Sequence, residues 1–203
     1  LDIVNSISKD KGFKFDFVYM NHNMNPNDKI IKIHSINLAN QYGSRFMYKD
    51  FQVKPENNKE AIFRDLRYNY LNELKNKNSY DFVLTAHHFN DQLETIYMRT
   101  IGKYNWTNLL GISESVNFIR RPMLNVKKQY IFKYAITNNV KWIFDYTNND
   151  SSILRNNIRN NIFLNSSHIL FFKLRCLLIY SRLRLYLFKS RMPKMNSIII
   201  KKT

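Results

Sequence analysis

Apolar residues in this chain fall in short runs, separated by stretches where they recur every three or four positions. That pattern predicts strands alternating with helices. Residues 15–19 (FDFVY) read as a buried strand that ends at the polar turn Asn21-His22-Asn23. Residues 29–42 carry apolar side chains at Ile30, Ile33, Leu38 and Tyr42, and Gly43 suits the position just past a helix. A second strand is expected at residues 45–48, then a charged helix from near Pro55 to about Lys75. A third strand follows at residues 80–85 (YDFVLT), leading directly into a helix from about His87 to Ile101. Residues 102–111 read as a loop, and residues 118–121 as a short strand stopped by Pro122. A helix is expected from about Val126 to Asn138.

Such alternation implies an α/β fold with parallel βαβ units, in which ligands sit beyond the carboxyl ends of the strands. Two polar turns lie at such ends, one at His22 and one at Ala86-His87-His88. The character changes near Ser166. HILFFKLRCLLIYSRLRLYLFKS is apolar but interrupted by Lys173, Arg175, Arg182 and Arg184, so no 18-residue uncharged stretch exists and no membrane span is expected. The segment reads as a packing helix, as a basic amphipathic helix on a membrane surface, or as sequence from a disturbed reading frame.

Charge sharpens the picture. The 32 Lys and Arg against 15 Asp and Glu give +17, and no acid occurs from Ser151 onward. Such a field favours polyanions: RNA, DNA or an anionic membrane surface. Asn is abundant but scattered, the mark of compositional drift rather than of a low-complexity segment. A single cysteine, Cys176, excludes a disulfide framework and any intrachain Cys-pair metal site, and a reducing compartment fits.

The segment Thr85 to Thr95 (TAHHFNDQLET) carries the densest chemistry. If helical from His87, it places His87, Asp91 and Glu94 on one stripe that starts at a helix N-terminus, where amides and the dipole favour phosphate. Two carboxylates beside a phosphate call for a divalent ion, so Asp91 and Glu94 are candidate Mg²⁺ ligands, direct or through water. The alternative is an ordinary first turn with acids placed for the dipole. A zinc site is disfavoured, since no third good ligand lies nearby. Arg64, Arg67 and Tyr68 lie on a neighbouring helix, where guanidinium pairs suit bidentate phosphate contacts or a solvated face. Arg120 and Arg121 end a strand, and Arg155, Asn156 and Arg159 gather after a polar turn.

TAHHFNDQLET resembles the motif T-A-H-H-x-x-D-Q-x-E-T of the tRNA(Ile)-lysidine synthase family, which belongs to the PP-loop ATPases. Four further segments resemble that family in its own order: VYMNHNMN, FRDLRY, RRPML and WIFDYTNNDSSILRNNIRN. The resemblance implies an adenine nucleotide alpha-hydrolase-like domain over residues 1–163; past Phe163 no match to the family is seen, and residues 164–203 read from their own composition as a basic apolar, helical tail. It implies ATP and Mg²⁺ as cofactors. The implied reaction adenylates the wobble cytidine of an isoleucine tRNA with a CAU anticodon, after which free L-lysine displaces AMP. Carried over by position, His87, Asp91, Glu94 and Arg155 would be catalytic, while His22, Arg64 and Arg67 would bind nucleotide or tRNA. A homodimer is compatible with the reading, as is a bacterial cytoplasm or a plastid.

Two departures bear on this expectation. The family's S-G-G-x-D-S nucleotide loop is not found, and the four glycines are nowhere adjacent. Residues 1–11 read as the remainder of the helix after that loop, so the domain is expected to lack its first strand and nucleotide loop, and this chain alone is expected not to adenylate tRNA. Asn90 stands where the family carries a second Asp, and Asp-Tyr-Thr-Asn at residues 145–148 replaces Asp-Pro-Ser-Asn. Competing readings are a tRNA thiolase of the same superfamily, disfavoured by the lone cysteine, and a non-catalytic remnant that binds tRNA by charge.

Overall fold

The computed structural model describes residues 1–23, 25–52, 59–102, 105–143, 153–166 and 168–191. Two compact units emerge: Leu1–Val83 with the stretch from Gln129, and Leu84–Lys128 with the stretch from Ile153. Each is described by itself.

The first unit begins with helix α1 (Asp2–Lys11), closed by Gly12 in the left-handed region at φ 73°. Strand β1 (Phe17–Asn21) pairs in parallel with β2 (Phe46–Asp50), Phe17 opposite Phe46 and Asn21 opposite Asp50. Between them runs α2 (Asp28–Gln41), the crossover connection that a parallel pair needs. The expected stop at Gly43 is present, with φ 64° just past Tyr42. Strand β1 lies two residues further along than its sequence suggested, β2 starts one residue later and ends two later, and β1 is half-buried until Asn21. The reason is width: a two-stranded ribbon covers less of each strand than a broad sheet does. Helix α3 (Lys59–Asn78) carries Phe63 and Leu71 into the unit's core beside Ala39 and Phe51. Pro55, the expected start of this helix, lies outside the described residues. Strand β1 is anchored at its entry by Asp16, which accepts the Tyr80 hydroxyl and pairs with Arg45.

The second unit is built on α4 (Phe89–Ile101) and α7 (His168–Arg191). Leu93, Ile96, Ile158, Phe163, Leu174 and Leu178 form its buried core. The third strand is shorter than expected, β3 (Val83–Leu84), in a sheet ordered β3-β5-β4. Residues 102–111, expected as loop, contain a 3₁₀ turn (Trp106–Leu110). The strand expected at residues 118–121 is present as β5 (Ile119–Arg120); its partner β4 (Ser115–Val116) was not foreseen, and the two form an antiparallel hairpin, Val116 opposite Ile119. Asn117 at φ 50° opens its two-residue turn, a conformation Asn tolerates. Arg121, read above as a candidate cation, is buried and its Nη1 donates to the Ser113 carbonyl at 2.8 Å. Arg120 Nη1 likewise donates to the Asn117 carbonyl at 2.6 Å. Both arginines therefore brace the hairpin.

Helix α5 (Lys128–Thr137) follows, then α6 (Leu154–Asn157) continuing into a π-helical turn (Ile158–Phe163). The segment after Ser166 is helical as α7, with Leu174, Leu178 and Ser181 buried against the unit's core. Among the described residues no helix is long and apolar enough to cross a membrane.

Candidate functional site

In the second unit the site grows from the start of α4. His88, not His87, is the N-cap: its backbone is extended, and its Nδ1 accepts the Asp91 N–H at 3.4 Å. Asp91 Oδ2 accepts the His88 N–H at 2.8 Å, completing a reciprocal capping box. This corrects the expectation of a helix from His87. With the cap one residue later, His87 leaves the Asp91–Glu94 stripe, and its Nδ1 lies 2.9 Å from Thr85 Oγ1. A cap that accepts through Nδ1 requires an unprotonated ring. Burial pushes the His88 pKa down, against the upward pull of Asp91 and Glu94, so the neutral cap holds at pH 7.

One turn into the helix sits Glu94, 1% exposed. A carboxylate at that depth needs partners for both oxygens. Oε2 accepts Arg155 Nε at 2.8 Å and Arg159 Nη2 at 2.9 Å, while Oε1 accepts Arg159 Nε at 2.8 Å. Asp91 Oδ1 lies 3.5 Å from Arg155 and 3.7 Å from Arg159. Burial by itself works against the Arg159 charge, but the bonds and charge of Glu94, with Asp91, hold its pKa above the ordinary arginine value. The arginines are four residues apart where α6 passes into the π-helical turn, so they reach one neighbour together. Two carboxylates and two guanidiniums thus form a neutral, hydrogen-bonded block. About a quarter of each arginine side chain stays exposed, 23% and 25%, leaving an edge to meet an anion.

This arrangement bears on Mg²⁺. Both Glu94 oxygens are occupied by guanidinium N–H groups, and Asp91 Oδ2 by its cap. Among the described residues no group of three metal-ligating side chains converges. The two carboxylates do not fit Mg²⁺ as direct ligands here.

Gln92, unnoticed in the sequence, is 1% exposed and reads the backbone of Ile112 twice: Nε2 donates to its carbonyl at 2.8 Å, and Oε1 accepts its N–H at 2.6 Å. A side-chain amide bonded to both groups of one residue fixes the 3₁₀ loop against α4. Gly111 permits this, because a Cβ there would collide with Gln92 Oε1, and its φ of 73° disfavours side chains.

In the first unit, His22 follows the buried end of β1. Its ring stacks on Phe51 at 5.3 Å between centroids and lies 4.4 Å from Phe63. Arg67 shares the inward stripe of α3 with Phe63 and Leu71, and its Nη2 is 3.4 Å from His22 Nε2. Burial first, and the Arg67 charge second, lower the His22 pKa to about 4, so the ring is neutral at pH 7. Its Nδ1 is buried without a hydrogen-bond partner among the described residues. Arg64, on the outer face of α3, is exposed and packs over the Tyr68 ring at 4.7 Å. The structure therefore brings together Asp91, Glu94 and Arg155, adding His88 and Arg159, and separately pairs His22 with Arg67. Residues 145–148 lie outside the described residues.

Comparison with known proteins completes the site. A family model described as "PP-loop domain" matches residues 1–165. Over 103 residues the chain is 38% identical to the tRNA(Ile)-lysidine synthase of Treponema denticola, a match covering 51% of this chain and 22% of the relative. The lysidine synthase of Buchnera aphidicola subsp. Schizaphis graminum is 32% identical over 160 residues, 76% of this chain and 35% of that protein. That of Haemophilus influenzae is 30% identical over 152 residues, 71% of this chain and 34% of that protein. This chain thus spans at most about a third of the length of these relatives. Among solved structures, a U34-tRNA thiolase NcsA from Methanococcus maripaludis superposes with a TM-score of 0.66 at 14% identity, covering 98% of this chain and 71% of that one. At that identity the likeness shows the fold.

Proposed function

This chain belongs to the PP-loop family, and from that premise we propose that it serves ATP-dependent lysidine synthesis on the wobble cytidine of an isoleucine tRNA with a CAU anticodon. The observation that carries the reading is the block of Asp91, Glu94, Arg155 and Arg159. It gives the TAHHFNDQLET and RNNIR segments a single physical task in a chain whose relatives are lysidine synthases. ATP would supply the adenylyl group that activates the cytidine C2 oxygen, with pyrophosphate leaving, and the lysine amine would then attack C2 and displace AMP.

The chain's own residues contribute as follows. Glu94 is a positioning residue: it neutralises and orients two guanidiniums that would otherwise repel each other. The exposed edges of Arg155 and Arg159 bind phosphate or the charge that develops at the cytidine oxygen. Asp91 holds the helix start and shares the arginines. Neutral His22, with an unsatisfied buried Nδ1 beside Arg67, fits a hydrogen-bonding nucleotide group, and exposed Arg64 supplies a tRNA contact. His87, beside Thr85, stays at the mouth of the α4 turn. A cluster-dependent thiolase chemistry is disfavoured by the single cysteine of the sequence.

The test is incorporation of labelled lysine into that tRNA with ATP and Mg²⁺, using the gene's full product. Incorporation that falls at least a hundredfold in Arg155→Lys (about 3 kcal/mol of transition-state stabilisation) supports the reading. Full activity of that variant, or of Asp91→Asn, removes the block from the reaction. Salt-sensitive tRNA binding without lysine transfer would identify a binding module instead.

A further inference from the structure

Helix α7 has two apolar faces, and packing within its unit explains one of them. At 3.6 residues per turn, Leu174, Leu178 and Ser181 fall on the inner face, with Leu170, Phe171 and Leu177 packed against the unit's core. The opposite face carries Phe172, Ile179, Tyr180, Leu183, Tyr186 and Leu187, exposed by 47% to 70%. These six span a stripe roughly 120° wide. Four of the six lysines and arginines of α7 flank this stripe. Lys173 and Arg184 lie along one edge of the stripe, Arg175 and Arg182 along the other, all within about 40° of it.

We propose that this outer face of α7 docks on an anionic lipid bilayer, the helix lying in the plane of the interface. An apolar stripe with basic residues on both flanks matches that boundary: large side chains enter the acyl region while Lys and Arg stems snorkel outward to phosphates. Charge decides against the other occupants. A second copy of α7 would bring six more cations and no acid, since the helix contains none. An RNA would satisfy the cations and leave the apolar stripe in water. Exposed aliphatic and aromatic side chains at this density otherwise mark a surface that something covers. The proposal concerns peripheral attachment and is independent of the reaction at the α4 turn.

The experiment uses the whole chain with vesicles of phosphatidylcholine and phosphatidylserine, against pure phosphatidylcholine. Because a +17 chain binds anionic vesicles through any basic surface, the decisive variants leave charge unchanged. Leu183→Ser with Tyr186→Ser is expected to lower partitioning about tenfold, at unaltered thermal stability. Arg175→Gln with Arg182→Gln is expected to lower it about 25-fold, at roughly fivefold per cation. Lys75→Gln with Lys77→Gln, on α3, is expected to change it by less than about tenfold despite equal charge loss. Cys176, the chain's one cysteine, is exposed and falls inside the stripe, so an environment-sensitive dye attached there should shift to the blue on anionic vesicles. Three results would overturn the proposal: wild-type partitioning by the serine variant, a dye that does not respond while the chain binds, or a concentration-dependent dimer abolished by Leu183→Ser.

Discussion

Glu94→Gln keeps the shape of a buried side chain and removes its charge. In the native block Glu94 accepts three charge-assisted bonds at 2.8 to 2.9 Å from two guanidiniums. A glutamine retains one acceptor oxygen and turns an N–H₂ donor toward an arginine, so about two of the three bonds are lost. Each is worth about 1.5–3 kcal/mol, and breaking a buried pair costs about 3–5 kcal/mol. The arginines are about a quarter exposed and keep Asp91 nearby, which places the expected loss near the lower figure, about 3 kcal/mol. For a chain of this size that corresponds to roughly 6–12 °C in Tm. Urea denaturation followed by circular dichroism gives the free energy, and thermal melting checks it. Replacing the block by apolar residues (Glu94→Leu, Arg155→Met and Arg159→Met together) should recover most of the loss, because no charge is then left buried. A loss below about 1 kcal/mol for Glu94→Gln, or a triple variant less stable than the single one, would refute the assignment of Glu94 as the charge that holds the arginines.

Three further outcomes follow from single contacts. His22 is neutral in the folded chain down to about pH 4 but titrates near 6.5 when unfolded, so the unfolded state binds the extra proton between these values. Stability should therefore be full above about pH 6.5 and fall as pH drops toward 4, by about 2 kcal/mol after allowing for partial solvent screening. His22→Gln should flatten that part of the urea-stability profile, and an NMR titration midpoint for His22 near 6.5 would contradict it. Gly111→Ala should cost more than about 2 kcal/mol, through strain at φ 73° and the collision with Gln92 Oε1. A thermal shift below roughly 2 °C would show that the loop accommodates the methyl group. His88→Ala should cost about 1 kcal/mol by removing the α4 cap, while His88→Ser, a good cap, should be near neutral. Equal losses in the two variants, measured by urea denaturation, would mean that His88 does something other than cap.

Much of this was legible from periodicity and turn chemistry. The order of strands and helices, the stop at Gly43 and the polar turns at His22 and His88 all follow from local patterns that the fold does not override. Asp91 and Glu94 were nominated by motif spacing and Arg155 by the family resemblance, while the partner that Arg155 shares with Arg159 was not foreseen. What stayed hidden depends on one-residue shifts and on distant backbone. Moving the helix start from His87 to Phe89, with His88 as its cap, assigns one histidine to Thr85 and the other to Asp91, a choice made by the capping box and not by periodicity. Gln92 matches the motif, but its role stayed hidden because its partner is the backbone of Ile112, twenty residues away, which has no side-chain signature. Strand β5 falls within the stretch expected at residues 118–121, but its antiparallel partner β4 escaped notice because a two-residue strand is too short to show alternation.

The most direct measurement is nucleoside mass spectrometry of isoleucine tRNA from a bacterium whose own lysidine synthase is switched off and which expresses the full product of this gene. The account predicts lysidine at the wobble position, lost when Arg155 is replaced by Lys or Asp91 by Asn. Unmodified cytidine with the wild-type product, alongside tRNA that still co-purifies with it, would contradict lysidine synthesis as the function of this chain.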